Sequence, residues 1–420
     1  MWVSLTRRSV LACLVLAALG TAIAQTNQAI GFDEAIARTL ASNPELRAFG
    51  FSLEAQQGRI QQANLRPPVE LDVEIENVLG SGVYSGTGFA QTTVGLVWAF
   101  ERGKREHRVA ATQAGLTMLE SEAEVMRLDA AAGTARLYLE SLALQARMEL
   151  AEEAIALAKE TVDAVEQRVA AGRNPVADLA RARVDLSRRS LEHEHLSHVH
   201  VASMHRLAAQ WGVTDPAFAT VRGDLADLPE PDTFEELLAR AEQNPQLKRL
   251  LSEQRLREAE LRRAESEARP DWELLAGVRH LEDTNDQAFV AQFRVPFSGE
   301  KRNAGNLATA RADLDRSEAD RAATRVRVET ELFTLYDELN HSLHVAETLR
   351  DEILPNVEIA LVETQRAYAA GRYSYLELRI AQDEALLARR ELLEVLIEIH
   401  RHAIEIESLT GTALSSPVRE

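Results

Sequence analysis

The sequence predicts a mainly α-helical fold with a small membrane β part, built from long coiled-coil hairpins and a few short strands. The first observation behind this is duplication. Asn43-Pro44-Glu45-Leu46 returns as Asn244-Pro245-Gln246-Leu247, Arg66-Pro67 as Arg269-Pro270, and Ala170-Ala171-Gly172-Arg173 as Ala369-Ala370-Gly371-Arg372. A period of about 200 residues is far too long for a solenoid. The second is a change of rhythm within each copy: two short segments alternate with period two, then apolar residues step by threes and fours over about 70 residues. The third is composition, rich in Ala, Glu, Leu and Arg with only 5% aromatic residues, which is the profile of long helices.

Residues 1–24 read as a signal peptide, with Arg7-Arg8 before the apolar Val10–Leu19 and Ala22-Ile23-Ala24 as a small-x-small cleavage site. The apolar run is too short to cross a bilayer. A first repeat then spans 25–214, a linker rich in proline and aspartate 215–231, a second repeat 232–414 and a tail 415–420. The one cysteine, Cys13, falls in the signal, so the rest has no thiol for a disulfide or a thiolate metal site. A net charge of −19 argues against nucleic acid as a partner. No later stretch is apolar for 18 residues. That excludes a spanning helix but not barrel strands, whose alternation hides them from hydropathy.

The first strand sets Val69, Leu71, Val73 and Ile75 against Glu70, Asp72, Glu74 and Glu76. A half-buried strand of a soluble sheet also alternates, but four carboxylates on one face fit a wet barrel lumen better than a core. The second, near Phe89 to Phe100, sets Val94, Leu96 and Trp98 against Gln91, Thr93 and Gly95. In the second copy Trp272, Leu274, Ala276 and Val278 alternate with Glu273, Gly277 and Arg279, and Phe289, Ala291, Phe293 and Val295 with Gln292 and Arg294. Each strand is long enough for one tilted crossing. Four strands cannot close a barrel, and open edges are not tolerated in lipid. Several copies must therefore contribute, and sequence alone does not choose their number.

The helix after the second strand runs from near Gly103 to Gly172, about 100 Å at 1.5 Å per residue. Its seam (Leu119, Ala123, Met126, Ala130, Gly133, Leu137) slips near Ser141 and resumes at Leu144, a heptad-like pattern with a phase shift. Gly172-Arg173-Asn174-Pro175 ends it: glycine suits a left-handed cap and proline the start of the next helix. The second copy repeats this from about Asn303 to Ala370, with Pro355 expected to interrupt it. Leading helices lie near Asn43 to Leu65 and Asn244 to Ala268.

In this order and duplication the chain resembles the outer-membrane efflux proteins, the TolC-like channels, over nearly its whole length after the signal. The resemblance rests on the two Asn-Pro motifs, the junction Val295-Pro296-Phe297-Ser298-Gly299-Glu300-Lys301-Arg302, the two Ala-Ala-Gly-Arg turns and Tyr373-Ser374-Tyr375-Leu376-Glu377-Leu378. Ala99-Phe100-Glu101-Arg102-Gly103-Lys104-Arg105 and Asn303-Ala304-Gly305-Asn306 are most similar to its heavy-metal (cation) efflux branch. The resemblance implies a homotrimer whose twelve strands close one barrel in outer-membrane lipid and whose helices form a periplasmic tunnel. It implies a passive exit duct docked on a periplasmic adaptor (membrane fusion) protein and an inner-membrane pump. Gln25 stands where many relatives carry a lipidated cysteine, so no lipid anchor is carried over. Two other functions are open: an exit duct for drugs or a secreted protein, and a periplasmic adaptor or coiled-coil scaffold. Two hairpins and no long β-rich section argue against the last.

The resemblance places Asp178 and Glu377, each six residues beyond a turn glycine, at the narrow periplasmic end. Such carboxylate rings repel, favour cations, or pair with arginines; both acids also suit the first turn of an ordinary helix. It places adaptor contacts at Gly172, Arg173, Gly371 and Arg372, which read equally as caps and solvated charges. Of the histidines at 193, 195, 198, 200 and 205, only His195 and His198 are spaced to share an ion, and solvated or interhelical histidines account for the run as well. There is no phosphate-cradling glycine loop, no His-Glu-x-x-His and no cysteine nucleophile, so the sequence gives no enzyme chemistry and implies no cofactor.

Overall fold

Alternation at four places in the chain becomes one antiparallel sheet. β1 (Glu70–Glu76) pairs with β2 (Gln91–Phe100), β2 with β3 (Trp272–Leu281), and β3 with β4 (Asp286–Arg294). The computed structural model describes residues 29–229, 232–296 and 299–412. The predicted signal peptide, the tail, the end of the linker at Glu230 and Pro231, and Phe297-Ser298 of the junction motif lie outside them.

The helices are α1 (Phe32–Ser42), α2 (Pro44–Ala63), α3 (Lys104–Ala170), α4 (Val176–Ala209), α5 (Phe234–Ala241), α6 (Pro245–Glu267), α7 (Gly299–Thr348), α8 (Leu354–Ala369) and α9 (Tyr375–Thr410). The fold is mainly α with a small β part. The interruption expected at Pro355 takes the form of a π-helical turn, Leu349–Ile353, between α7 and α8. Proline has no N–H to donate and its ring crowds the preceding turn, so the widened turn accommodates it.

The chain divides into two compact units, each drawn from both repeats, with boundaries inside α2, α3 and α7. The first holds residues 1–47, 126–244 and 328–420; the second holds 48–125 and 245–327, including the whole sheet.

In the first unit one core gathers Phe32 and Ala35 of α1, Tyr138 and Leu139 of α3, Leu207 of α4 and Ile404 of α9. The segment read as a linker is packed there: Phe218, Val221 and Leu225 are buried, and Val221 bridges to Ile30. The hydroxyl of fully buried Tyr138 lies between the carbonyls of Ile30 at 3.0 Å and Arg222 at 2.5 Å. A second core joins Leu237 and Ala241 of α5 to Leu332 and Leu339 of α7 and Ile399 of α9.

The repeated Asn-Pro motif has one job in both copies. Asn43 accepts from the Glu45 and Leu46 amides, starting α2, while its own amide donates to the Gln210 carbonyl just past α4. Asn244 donates to the carbonyls of Ser408, at 3.3 Å, and Leu409 at the end of α9. Each asparagine is buried and supplies a donor to a helix end that has none of its own.

Candidate functional sites: the sheet wall and the hairpin tips

Strand pairing sorts the side chains of the sheet onto two unlike faces. Partners in register point to the same side. Leu71, Val73 and Ile75 therefore share a face with Val94, Leu96, Trp98 and Phe100, with Trp272, Leu274, Ala276 and Val278, and with Phe289, Ala291 and Phe293. The opposite face carries Glu70, Asp72, Glu74 and Glu76 with Gln91, Thr93, Arg279 and Gln292. Leu71, Val73, Ile75, Phe289 and Phe293 are all exposed, an apolar wall of the kind that needs a covering.

The polar face is not a bare anionic surface. Arg279 of β3 reaches Glu76 at 3.1 Å and Glu74 at 3.9 Å, and donates to Thr93 and Gln91 of β2. Among the described residues no partner is recorded for Glu70 or Asp72. Sequence reading found the acids but missed this pairing, because β1 and β3 are not adjacent and Arg279 must span β2. β2 and β3 meet through Gly95 and Gly277, where a Cβ on Gly277 would stand 2.5 Å from the Val94 carbonyl. β1 and β4 are open edges.

The hairpin tips lie in the first unit. Gly172 and Gly371 both have positive φ, 68° and 77°. Their N–H groups bond Val169 and Tyr368 at 2.9 Å, while Arg173 and Arg372 close the outer bonds to Arg168 at 2.8 Å and Ala367 at 2.9 Å, the double cap expected of a left-handed glycine. Both arginine side chains are exposed, with no recorded partner among the described residues.

The two tips are tied together. Arg168 donates to the Tyr368 carbonyl and, at 2.8 Å, to Asn174 Oδ1, and its guanidinium lies 4.5 Å from the Tyr368 ring centre. Beneath it Val165, Ala182, Tyr368, Tyr375 and Leu378 form a buried cluster. Burial, above all, raises the Tyr368 and Tyr375 phenols, keeping them neutral. A cleft of about 530 Å³ beside them is lined by residues that include Thr161, Arg173, Gln365 and Gln382.

Asp178 and Glu377 occupy matching positions but unlike environments. The Asp178 side chain is 15% exposed, accepts from Asn174 Nδ2 at 3.1 Å and faces Arg181 at 3.4 Å. Glu377 is exposed and closes a capping box: its carboxylate accepts the Ser374 N–H at 2.6 Å and hydroxyl at 2.8 Å. Those bonds, the backbone one first, hold its carboxyl below the usual range. The difference is local. Pro175 stands where the second copy has Ser374, and proline has neither N–H nor hydroxyl to offer.

Three of the α4 histidines have partners: His193 with Glu152 at 3.2 Å, His200 with Gln145 at 3.3 Å and His205 with the Thr214 carbonyl at 2.7 Å. His195 and His198 are exposed. Among the described residues no three His, Cys, Asp or Glu side chains are grouped to hold a metal ion. On α9, His400 bonds the Leu225 carbonyl and His402 faces Glu338 and Glu398.

A sequence profile of outer membrane efflux proteins matches residues 35–213. The cobalt-zinc-cadmium resistance protein CzcC of Cupriavidus metallidurans is 27% identical over 379 residues, 90% of this chain and 89% of that one. By these two matches the chain is similar to the outer membrane efflux proteins. Solved structures agree in fold. A membrane protein from Pseudomonas aeruginosa superposes with a TM-score of 0.76 at 19% identity, over 91% of this chain and 90% of that one. The outer membrane protein VceC of Vibrio cholerae gives 0.73 at 19% identity, over 91% and 97%. The similarity over residues 35–213, and to CzcC over 90% of the chain, is thus to channel components of the outer membrane. No described helix is long and apolar enough to cross a bilayer.

Proposed function

We propose that the chain is the passive exit duct of a tripartite export system for heavy-metal cations, working as a homotrimer with a periplasmic adaptor and an inner-membrane pump. The observation that carries the reading is the four-stranded sheet with one apolar face, one polar face and two open edges. Such a sheet is stable in lipid only when copies close it. β1 and β4 run antiparallel, so one chain's β4 can continue onto the next chain's β1, and three copies make twelve strands. Similarity to a cobalt-zinc-cadmium resistance protein supports metal cations as the cargo.

In this reading Glu70, Asp72, Glu74 and Glu76 face the barrel lumen, Asp178 and Glu377 ring the periplasmic gate, and Gly172, Arg173, Gly371 and Arg372 touch the adaptor. Carboxylates lining both ends suit cation passage. A deletion strain tested on cobalt, zinc and cadmium should be hypersensitive and be rescued by the intact gene. Full metal tolerance of the deletion, with sensitivity to organic toxicants instead, would move the cargo to drugs.

A further inference from the structure

The helix-bearing end of the sheet carries charge opposite to that of the chain. The approaches to β1 and β3 and the exits from β2 and β4 all lie at this end. Residues 64–69, 101–108, 262–271 and 301–302 hold ten lysines and arginines against five acids, in a chain of net charge −19. The opposite end, 77–90 and 282–285, has two acids and no lysine or arginine.

Some of these cations are paired, as Lys104 is with Asp271 at 2.8 Å and Arg108 with Glu101 at 2.6 Å. Arg66, Arg102 and Arg269 are exposed, and no carboxylate is recorded against them among the described residues. The Arg102 guanidinium lies 4.8 Å from the Trp272 ring centre, and Trp272 packs edge-on to Phe293. A guanidinium nitrogen of Arg269 stands 3.6 Å from a Cβ built on Gly103, next to Arg102. A cleft of about 500 Å³ nearby is lined by Arg59, Arg66, Arg108 and Arg263, with Glu101 the only acid among its described lining residues.

We propose that this rim binds the phosphate groups of acidic glycerophospholipids in the leaflet nearest the helices. The inference rests on the outer-membrane reading. Trp272 and Phe293 end the apolar face, so acyl chains lying on that face bring their headgroups level with Arg102. Guanidinium forks match phosphate oxygens and stack on aromatic rings, and anionic leaflets attract clustered cations. Free phosphate offers the same charge without chains to lie on the apolar wall.

The test uses full-length protein in neutral detergent, following the temperature at which the oligomer dissociates. Added phosphatidylglycerol should raise that temperature saturably, and phosphatidylcholine or inorganic phosphate should not. In the triple variant Arg66→Gln, Arg102→Gln, Arg269→Gln the phosphatidylglycerol needed for half the effect should rise at least tenfold. The matching lysine variant, which keeps charge and folding, should fall between. Equal stabilisation by phosphatidylcholine, or an unchanged phosphatidylglycerol response in the glutamine variant, overturns the proposal. Inorganic phosphate reproducing the effect overturns the lipid assignment. Absence of the protein from outer-membrane fractions would contradict the channel reading itself; membrane-inserted protein indifferent to headgroup charge contradicts only the lipid site.

Discussion

Asn43 and Gln210 are joined across 167 residues of sequence by a 2.8 Å hydrogen bond from side-chain amide to main-chain carbonyl. Asn244 repeats the contact at the end of α9. Replacing either asparagine with alanine removes a helix cap and leaves buried groups unpaired, a loss of about 1–3 kcal/mol. Urea unfolding should show a lower midpoint for Asn43→Ala and for Asn244→Ala. Unaltered midpoints for both would mean the repeated motif has no structural role.

How much was legible follows from the range of each interaction. Period-two alternation is local, so all four strands and their faces were readable, as were the glycine-capped turns. The Asn-Pro motif was visible as a repeat, but its meaning was not, because Gln210 and Leu409 are remote in sequence. Helices α1 and α5 went unassigned, although Thr233 and Glu236 spell a capping box that the structure forms. The burial of Phe218, Val221 and Leu225 was hidden by the proline- and aspartate-rich context of a segment read as a connector. At the tips, glycine alignment paired Asp178 with Glu377, yet Pro175 opposite Ser374 gives them different partners.

The β2–β3 pairing joins strands from the two repeats, and Gly277 leaves no room there for a side chain. A valine there would force Cβ against the Val94 carbonyl and the Gly95 backbone, the latter at 2.7 Å. Gly277→Val should reduce the yield of outer-membrane oligomer on unheated gels severalfold. Normal yield would show that the strands separate more easily than this contact implies.

Arg279 neutralises part of the acidic face through Glu76 and Glu74. Arg279→Gln removes a cation from the proposed lumen without changing the apolar face. Cation-over-anion selectivity, read from reversal potentials under a salt gradient, should increase. An unmoved reversal potential would place this face away from the ion path.

At the tips, Asp178→Ala combined with Glu377→Ala should raise single-channel conductance. The first change frees Asn174 and Arg181 from their carboxylate, and the second opens the Ser374 capping box. Unchanged conductance would remove both acids from the proposed gate.

Burial lowers the basicity of His200, His400 and His402. Each favours its neutral form in the fold, and His400 Nε2 donates to the Leu225 carbonyl in that form. The unfolded chain takes up these protons near the ordinary histidine value of 6.5, while the folded chain resists down to its lower one. Stability should therefore fall as pH drops below 6.5. Urea midpoints at pH 7.5 and 5.5 should differ in that sense, and less so in His400→Gln. A midpoint that rises on acidification would contradict the assignment.

The proposed duct requires sister copies to seal the two-faced sheet around water. Its most direct measurement is the purified outer-membrane protein added to planar lipid bilayers, with its mass on unheated gels. A heat-resistant trimer giving discrete, cation-preferring conductance steps is the expected result. A monomer that leaves bilayers silent would contradict it.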